Sequence, residues 1–273
     1  MTFVEKLAHI IKIKDSALCI GLDSDLDCLP SHFRPLPQPI KGFNREIIDS
    51  TSDIVCAYKL NLAFYEHFGS DGWSVLEDTI EAIPSDCLII ADGKRNDIGN
   101  SASRYAHSVF NHLSCDAVTV NPYLGRDSIE PFLDYNEKGV FILCLTSNSG
   151  SKDFQYLISS GKPLYMHIIK NVLKWNRNKN CGLVVGATHP NELQKIRKAA
   201  PKLPFLIPGI GAQGGDIEKV VQSGMNTEGD NAIINSSRAI IYASDGKDFP
   251  DAARQRAIET RDAINAARIQ LYK

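Results

Sequence analysis

The chain has 273 residues, 43% of them apolar, and its 30 basic side chains nearly balance 32 acidic ones. Such a balance gives no footprint for nucleic acid or a charged membrane surface, and no apolar run approaches the length that spans a bilayer. Met1 to Lys14 mixes charge with apolar residues, unlike the unbroken apolar core of a signal peptide, and the seven cysteines are scattered with no Cys-x-x-Cys pair. Buried, reduced thiols in a cytoplasmic protein are therefore expected.

The length suits one α/β barrel of about 250 residues with terminal extensions. Two smaller domains would also fit, but no Pro/Ser/Gly-rich or charge-block linker divides the chain, so residues 1–273 read as a single domain. Phe3, Leu7, Ile10 and Ile11 recur at helical spacing and predict a lead-in helix. Eight short apolar runs follow, each succeeded by a helix-like stretch. They are Ala17 to Leu22, Ile54 to Tyr58, Leu88 to Ala91, Ala117 to Val120, Val140 to Leu145, Leu183 to Gly186, Phe205 to Ile207 and Ala232 to Ile234. That alternation predicts a (β/α)8 TIM barrel, with a doubly wound open sheet as the alternative, because periodicity does not decide closure.

Between the first two runs, Pro30 to Pro39 is too proline-rich for a helix and reads as an ordered loop. Asn191 to Ala200 is framed by Pro190 and Pro201 as a helix. Asp216 is the expected N-cap of a helix over Ile217 to Ser223, with Gly224 as its stop. Pro250 to Gln270 reads as a long amphipathic helix that closes the barrel.

The runs end in polar or small residues: Asp23, Lys59, Asp92, Asn121, Ser147, Thr188, Gln213 and Arg238. In a barrel those ends converge on one face, where active sites sit. The densest charge lies after the third run, at Asp92, Lys94, Arg95 and Asp97. Strand alternation puts Asp92 and Lys94 on one face, and Asp97 is expected to supply Lys94 with a second carboxylate. Charges at the end of a buried strand need partners; a structural ion-pair cap is the plain alternative to a functional cluster. Lys59 closes the second run, extending a row of alternating charge. After the fifth run, Thr146-Ser-Asn-Ser-Gly-Ser151 leads an irregular stretch to Pro163, which reads equally as a lid or a solvated turn. Pro208-Gly-Ile-Gly-Ala-Gln213-Gly-Gly-Asp216 and Asn235-Ser-Ser237-Arg238 end the last two runs. Glycines that let backbone N–H groups approach an anion, beside a fork-shaped cation, mark the recurrent phosphate site of barrels. The seven histidines show no metal-binding spacing, since His107 and His112 diverge around a helix. No dinucleotide, triphosphate or zinc pattern occurs.

Asp92-x-Lys94-x-x-Asp97-Ile98 resembles the signature of orotidine 5'-phosphate decarboxylases, and Ala91 to Ser101 is similar to one bacterial subgroup of them. Four further stretches share the resemblance: residues 116–125 with Asn121-Pro-Tyr-Leu-Gly, Val184-Val-Gly-Ala-Thr188, Ile207 to Asp216, and Asn235 to Ile240. In all it covers residues 17–242. The resemblance implies cofactor-free decarboxylation of orotidine 5'-phosphate (OMP) to UMP in pyrimidine biosynthesis. It makes Lys59, Asp92, Lys94 and Asp97 the charged network, with Lys94 protonating C6. It gives Asp23 and Lys59 to the ribose, Ser147 to the base edge, and Gln213 and Arg238 to the phosphate. Ile98, Ser101, Asn121, Pro208 and Ser237 are further substrate contacts by the same resemblance, which also implies a homodimer with Asp97 shared across its two-fold axis. Ser101 stands where many relatives have threonine, and Ser149 where the subgroup often has proline. Two rivals are a Mg2+-dependent sugar-phosphate decarboxylase or aldolase of the same superfamily and a non-catalytic nucleotide-binding barrel. The first needs a metal-binding glutamate near Lys59, and a lysine cannot ligate Mg2+.

Overall fold

The computed structural model describes residues 1–210 and 216–272. Eight parallel strands form a closed barrel, numbered here along the chain. They are β1 (Leu18–Gly21), β2 (Ala57–Asn61), β3 (Leu88–Arg95), β4 (Ala117–Val120), β5 (Gly139–Leu145), β6 (Cys181–Val185), β7 (Phe205–Pro208) and β8 (Ala232–Ser236). Each matches one apolar run of the sequence. The barrel closes where β1 pairs with β8, with Leu18 opposite Ile234 and Ile20 opposite Ser236. That pairing removes the open doubly wound sheet, whose edge strands would stay unpaired.

Helix α1 (Phe3–Lys14) leads in, fastened by a capping box between Thr2 and Glu5, and its Phe3 ring packs edge-on to Phe141 of β5. The proline-rich segment between β1 and α2 (Pro39–Thr51) is ordered for an apolar reason. Its Phe33 ring meets Phe43 of α2 and Phe249 of the last helix, α12 (Phe249–Ile269), at 6.2 and 5.3 Å between centroids. Helix α12 packs against α2 and α10 (Ile217–Gly224). Six of the seven cysteines are buried, and burial pushes thiols such as Cys87 up, to about 11.

Helix α12 begins and ends one residue earlier than the expected Pro250 to Gln270, and two other helices differ from expectation for a readable reason. Helix α9 (Pro190–Ala199) takes Pro190 as its first residue, a position whose N–H has no helical partner to lose. Helix α10 is capped by Asp216, which accepts from the Lys219 N–H, but it runs through Gly224 instead of stopping before it. Gly224 is there for packing: a Cβ on it would lie 2.6 Å from Ile207 of β7.

Candidate active site

The C-terminal ends of the strands surround a cleft of about 310 Å3. Asp23, Lys59, Asp92 and Lys94 follow one another along its wall, carried by the end of β1, by β2 and by β3. The Lys59 ammonium lies 3.5 Å from Asp23 and 3.0 Å from Asp92, and the Lys94 ammonium 2.7 Å from the other Asp92 oxygen. The alternating row expected from the sequence is thus formed. Burial opposes charge on both Lys59 and Asp92 and is outweighed at each. Asp92 and Asp23 hold the Lys59 pKa above its ordinary value. The Lys59 and Lys94 ammoniums, with hydrogen bonds from Lys94 and Thr119, hold the Asp92 carboxyl well below the usual range.

Asp92 and Lys94 meet for a reason other than strand alternation. The β3–β4 register shifts between Ala91 and Arg95, and Lys94 takes a left-handed backbone, φ 46°. The bulge, not a regular pleat, aims its side chain at Asp92 and at the open cleft, where it stays 47% exposed. A protonated amine held beside a carboxylate and facing an apolar-walled cavity can stabilise a carbanion and then give it a proton. The apolar wall includes Leu143, Leu145, Val184, Leu206 and Ile210.

The remaining residues divide into three groups. Ser147, Pro208, Ser237 and Arg238 line the cleft with the charged row. Asp97, Ile98, Ser101 and Asn121 do not line the cleft of their own chain. Asp97 and Ser101 line a neighbouring groove with Trp73, Arg95 and Tyr105, and Ile98 is 56% exposed. Within one chain the expected second carboxylate is not beside Lys94: among the described residues its ion-pair partner is Asp92. Nor does Asp97 cap the helix that follows, α5 (Gly99–His107); among the described residues its carboxylate accepts from the adjacent Ile98 N–H at 2.8 Å. Asn121 uses its side-chain oxygen on the Tyr123 N–H. Gln213 lies outside the described residues.

Two close approaches shape the pocket. A Cβ on Gly21 would sit 2.0 Å from Ser237 Oγ, and one on Gly186 would sit 2.1 Å from Ser147 Oγ. Only glycine lets these hydroxyls stand against the neighbouring strand. Ser147 Oγ and Asn235 Oδ1 are buried at the cleft without a hydrogen-bond partner among the described residues, as a site awaiting a polar ligand would leave them. The loop bearing Ser147 is pinned by Gln155, whose side chain accepts from the Thr146 N–H and donates to Thr146 Oγ1, both at 2.8 Å. The stretch reaching to Pro163 is ordered as a short helix, Ser151–Phe154, and a small hairpin pairing Ile158–Ser159 with Lys162–Pro163.

Thr119, Gly21, Gly186 and Asn235 escaped the sequence reading as site residues. Thr119 had a visible signal, a hydroxyl inside the apolar run Ala-Val-Thr-Val; the glycines matter only through strands remote in sequence.

Residues 16–249 match the model of the orotidine 5'-phosphate decarboxylase / HUMPS family. The chain belongs to this family. Among similar decarboxylase-family proteins, the orotidine 5'-phosphate decarboxylase of Dehalococcoides mccartyi (strain CBDB1) is 50% identical over 269 residues, covering 97% of this chain and 98% of the relative. That of Janthinobacterium sp. (strain Marseille) is 48% identical over 273 residues, with coverage of 97% and 98%. The structure of Leishmania donovani OMP decarboxylase superposes with a TM-score of 0.86 at 37% identity, over 98% of this chain and 99% of that one. Leishmania donovani UMP synthase aligns with a TM-score of 0.85 at 39% identity, over 97% of this chain but 57% of its own. The decarboxylase fold thus occurs alone and as part of a longer chain.

Proposed function

We infer that this protein decarboxylates orotidine 5'-phosphate to UMP, a step of pyrimidine biosynthesis. The carrying observation is the Asp23–Lys59–Asp92–Lys94 row on the wall of a cleft with unpartnered polar groups. Loss of carbon dioxide from C6 leaves its bonding electron pair on that carbon. Lys94 offers an ammonium to that pair, transfers one proton to C6, and recovers it from solvent. Asp92 holds Lys94 in place and lies beside the substrate carboxylate; any ground-state stress is secondary to that holding role.

In this reading Asp23 and Lys59 take the ribose, Ser147 the base edge, and Gln213 and Arg238 the phosphate. Pro208 and Ser237 complete the cleft wall around the substrate. Support for Arg238 is its place on the cleft. Residues 1–273 form a single barrel domain, with α1 as its lead-in helix and α12 as its C-terminal closing helix. The chain works as a cytoplasmic homodimer in which the partner subunit's Asp97 approaches Lys94, with Ile98, Ser101 and Asn121 contributing near the shared site. This accounts for motif residues that turn away from their own cleft. Among the described residues no helix is long and apolar enough to cross a membrane. No metal or organic cofactor takes part.

The test is the fall in OMP absorbance with purified protein, with and without EDTA. Turnover that survives EDTA is expected. Absence of OMP turnover overturns the reading, and EDTA-sensitive turnover overturns its cofactor-free form.

A further inference from the structure

Lys94 poses a backbone problem that its own strand does not solve. On β3 and β4, Ala91 faces Val118 and Arg95 faces Val120, so residues 92–94 stand opposite the single residue Thr119. Three residues against one cannot keep a regular ladder. A lysine with φ 46° is also disfavoured, because its Cβ crowds the carbonyl. Something must fix this conformation.

The Thr119 side chain does so. Its Oγ1 lies 3.0 Å from the Lys94 backbone N and 2.7 Å from Asp92 Oδ1. The proton positions follow from chemistry alone. An amide N–H can only donate and an ionised carboxylate can only accept, so the hydroxyl accepts from Lys94 and donates to Asp92. Thr119 is 1% exposed and lines the cleft, so water does not compete freely for either bond. The same Asp92 oxygen takes the Lys94 ammonium at 2.7 Å. One hydroxyl therefore ties the backbone of Lys94 to the carboxylate that holds its side chain.

We propose that Thr119 is a positioning residue for the decarboxylation: its hydroxyl locks the bulge that aims Lys94 and orients the Asp92 carboxylate. This rests on the reading of the cleft as the decarboxylation site. Lys94 must be aimed as negative charge develops at C6, so the hydroxyl acts mainly on the transition state. Its loss lowers kcat more than it raises KM.

The test compares Thr119→Val, which keeps the shape and loses the hydroxyl, with Thr119→Ser, which keeps the hydroxyl. Thermal unfolding establishes that each variant is folded. A hydrogen bond to a charged group predicts a fall in kcat of about ten- to hundredfold for Thr119→Val, with KM for OMP within about threefold of wild type. Thr119→Ser restores kcat to within about threefold of wild type. Should the valine variant not fold, Thr119→Ala replaces it in the comparison with serine. Wild-type kcat in the hydroxyl-free variant overturns the inference. So does equal impairment of the serine and hydroxyl-free variants, which would assign position 119 to packing. A wild-type protein without OMP turnover overturns the underlying decarboxylase reading instead, which keeps the two failures apart.

Discussion

Asp92 is ionised where burial alone would neutralise it, because two ammoniums and a hydroxyl face it. The linkage to stability has a definite sign. The folded carboxyl lies below its ordinary value of 3.8, so its contribution is present above that pH and fades as pH falls through the folded pKa. The folded Lys59 lies above its ordinary 10.5, so its contribution is full below that pH and fades as pH rises through the folded value. Stability from the pair should be flat from about pH 4 to about pH 10. Asp92→Asn strips the buried Lys59 of its nearer carboxylate and is expected to cost about 3–5 kcal/mol within that window. Urea unfolding across pH checks this, and the gap from wild type should narrow in acid. Lys94 is half exposed, so its loss acts on chemistry rather than on the fold. Lys94→Ala should abolish turnover while the protein stays folded: a lost electrostatic partner raises the barrier by about 2–4 kcal/mol, and a lost proton donor adds to that. Retention of a tenth of wild-type kcat would remove Lys94 from the proton-donor role.

Between elements, single side chains substitute for missing backbone partners. Arg197 of α9 is buried without a carboxylate counter-ion among the described residues. Its guanidinium donates to the carbonyls of Gly224, Ala200 and Leu203 at 2.7 to 3.1 Å and lies 3.4 Å from the Phe205 ring centre. Burial pushes its pKa down to about 9, still charged at neutral pH. Arg197→Met keeps an apolar stem but orphans these carbonyls, and a loss of about 3–5 kcal/mol in urea unfolding is expected. Arg197→Lys should recover little, because one ammonium cannot span the fork. At the opposite end of the barrel, Arg238 opens a short helix, Arg238–Ile241, at the cleft. Arg238→Ala should raise KM for OMP severely yet hardly change turnover of the phosphate-free nucleoside. Equal slowing of both substrates would make Arg238 structural.

The whole molecule raises the question of who completes the site. Asp97 sits on a groove beside its own cleft, caps no helix and follows a motif whose other acid holds Lys94. If Asp97 acts in the partner's site, Lys94→Ala and Asp97→Ala chains, each inactive alone, should complement when dimers exchange. Each mixed dimer then has one doubly damaged site and one intact site, and random pairing restores roughly a quarter of all sites. A mixture that stays inactive, with exchange shown by an independent label, would refute the shared site.

By itself the sequence determined the eight strands and the charged row, because both depend on local properties: apolar runs set burial, and side-chain type sets what terminates each run. Asp23, Lys59, Asp92, Ser147 and Arg238 were legible for that reason, and they converge in the structure. Barrel closure was not legible, since it depends on Leu18 meeting Ile234, 216 residues away by their numbers. Nor was the route by which Lys94 reaches Asp92. Alternation brought them to one face on paper, whereas the structure uses a bulge and a left-handed lysine fixed by Thr119 of the next strand. Only the tertiary structure decided that, because a register shift is a property of two strands together and has no expression in either alone.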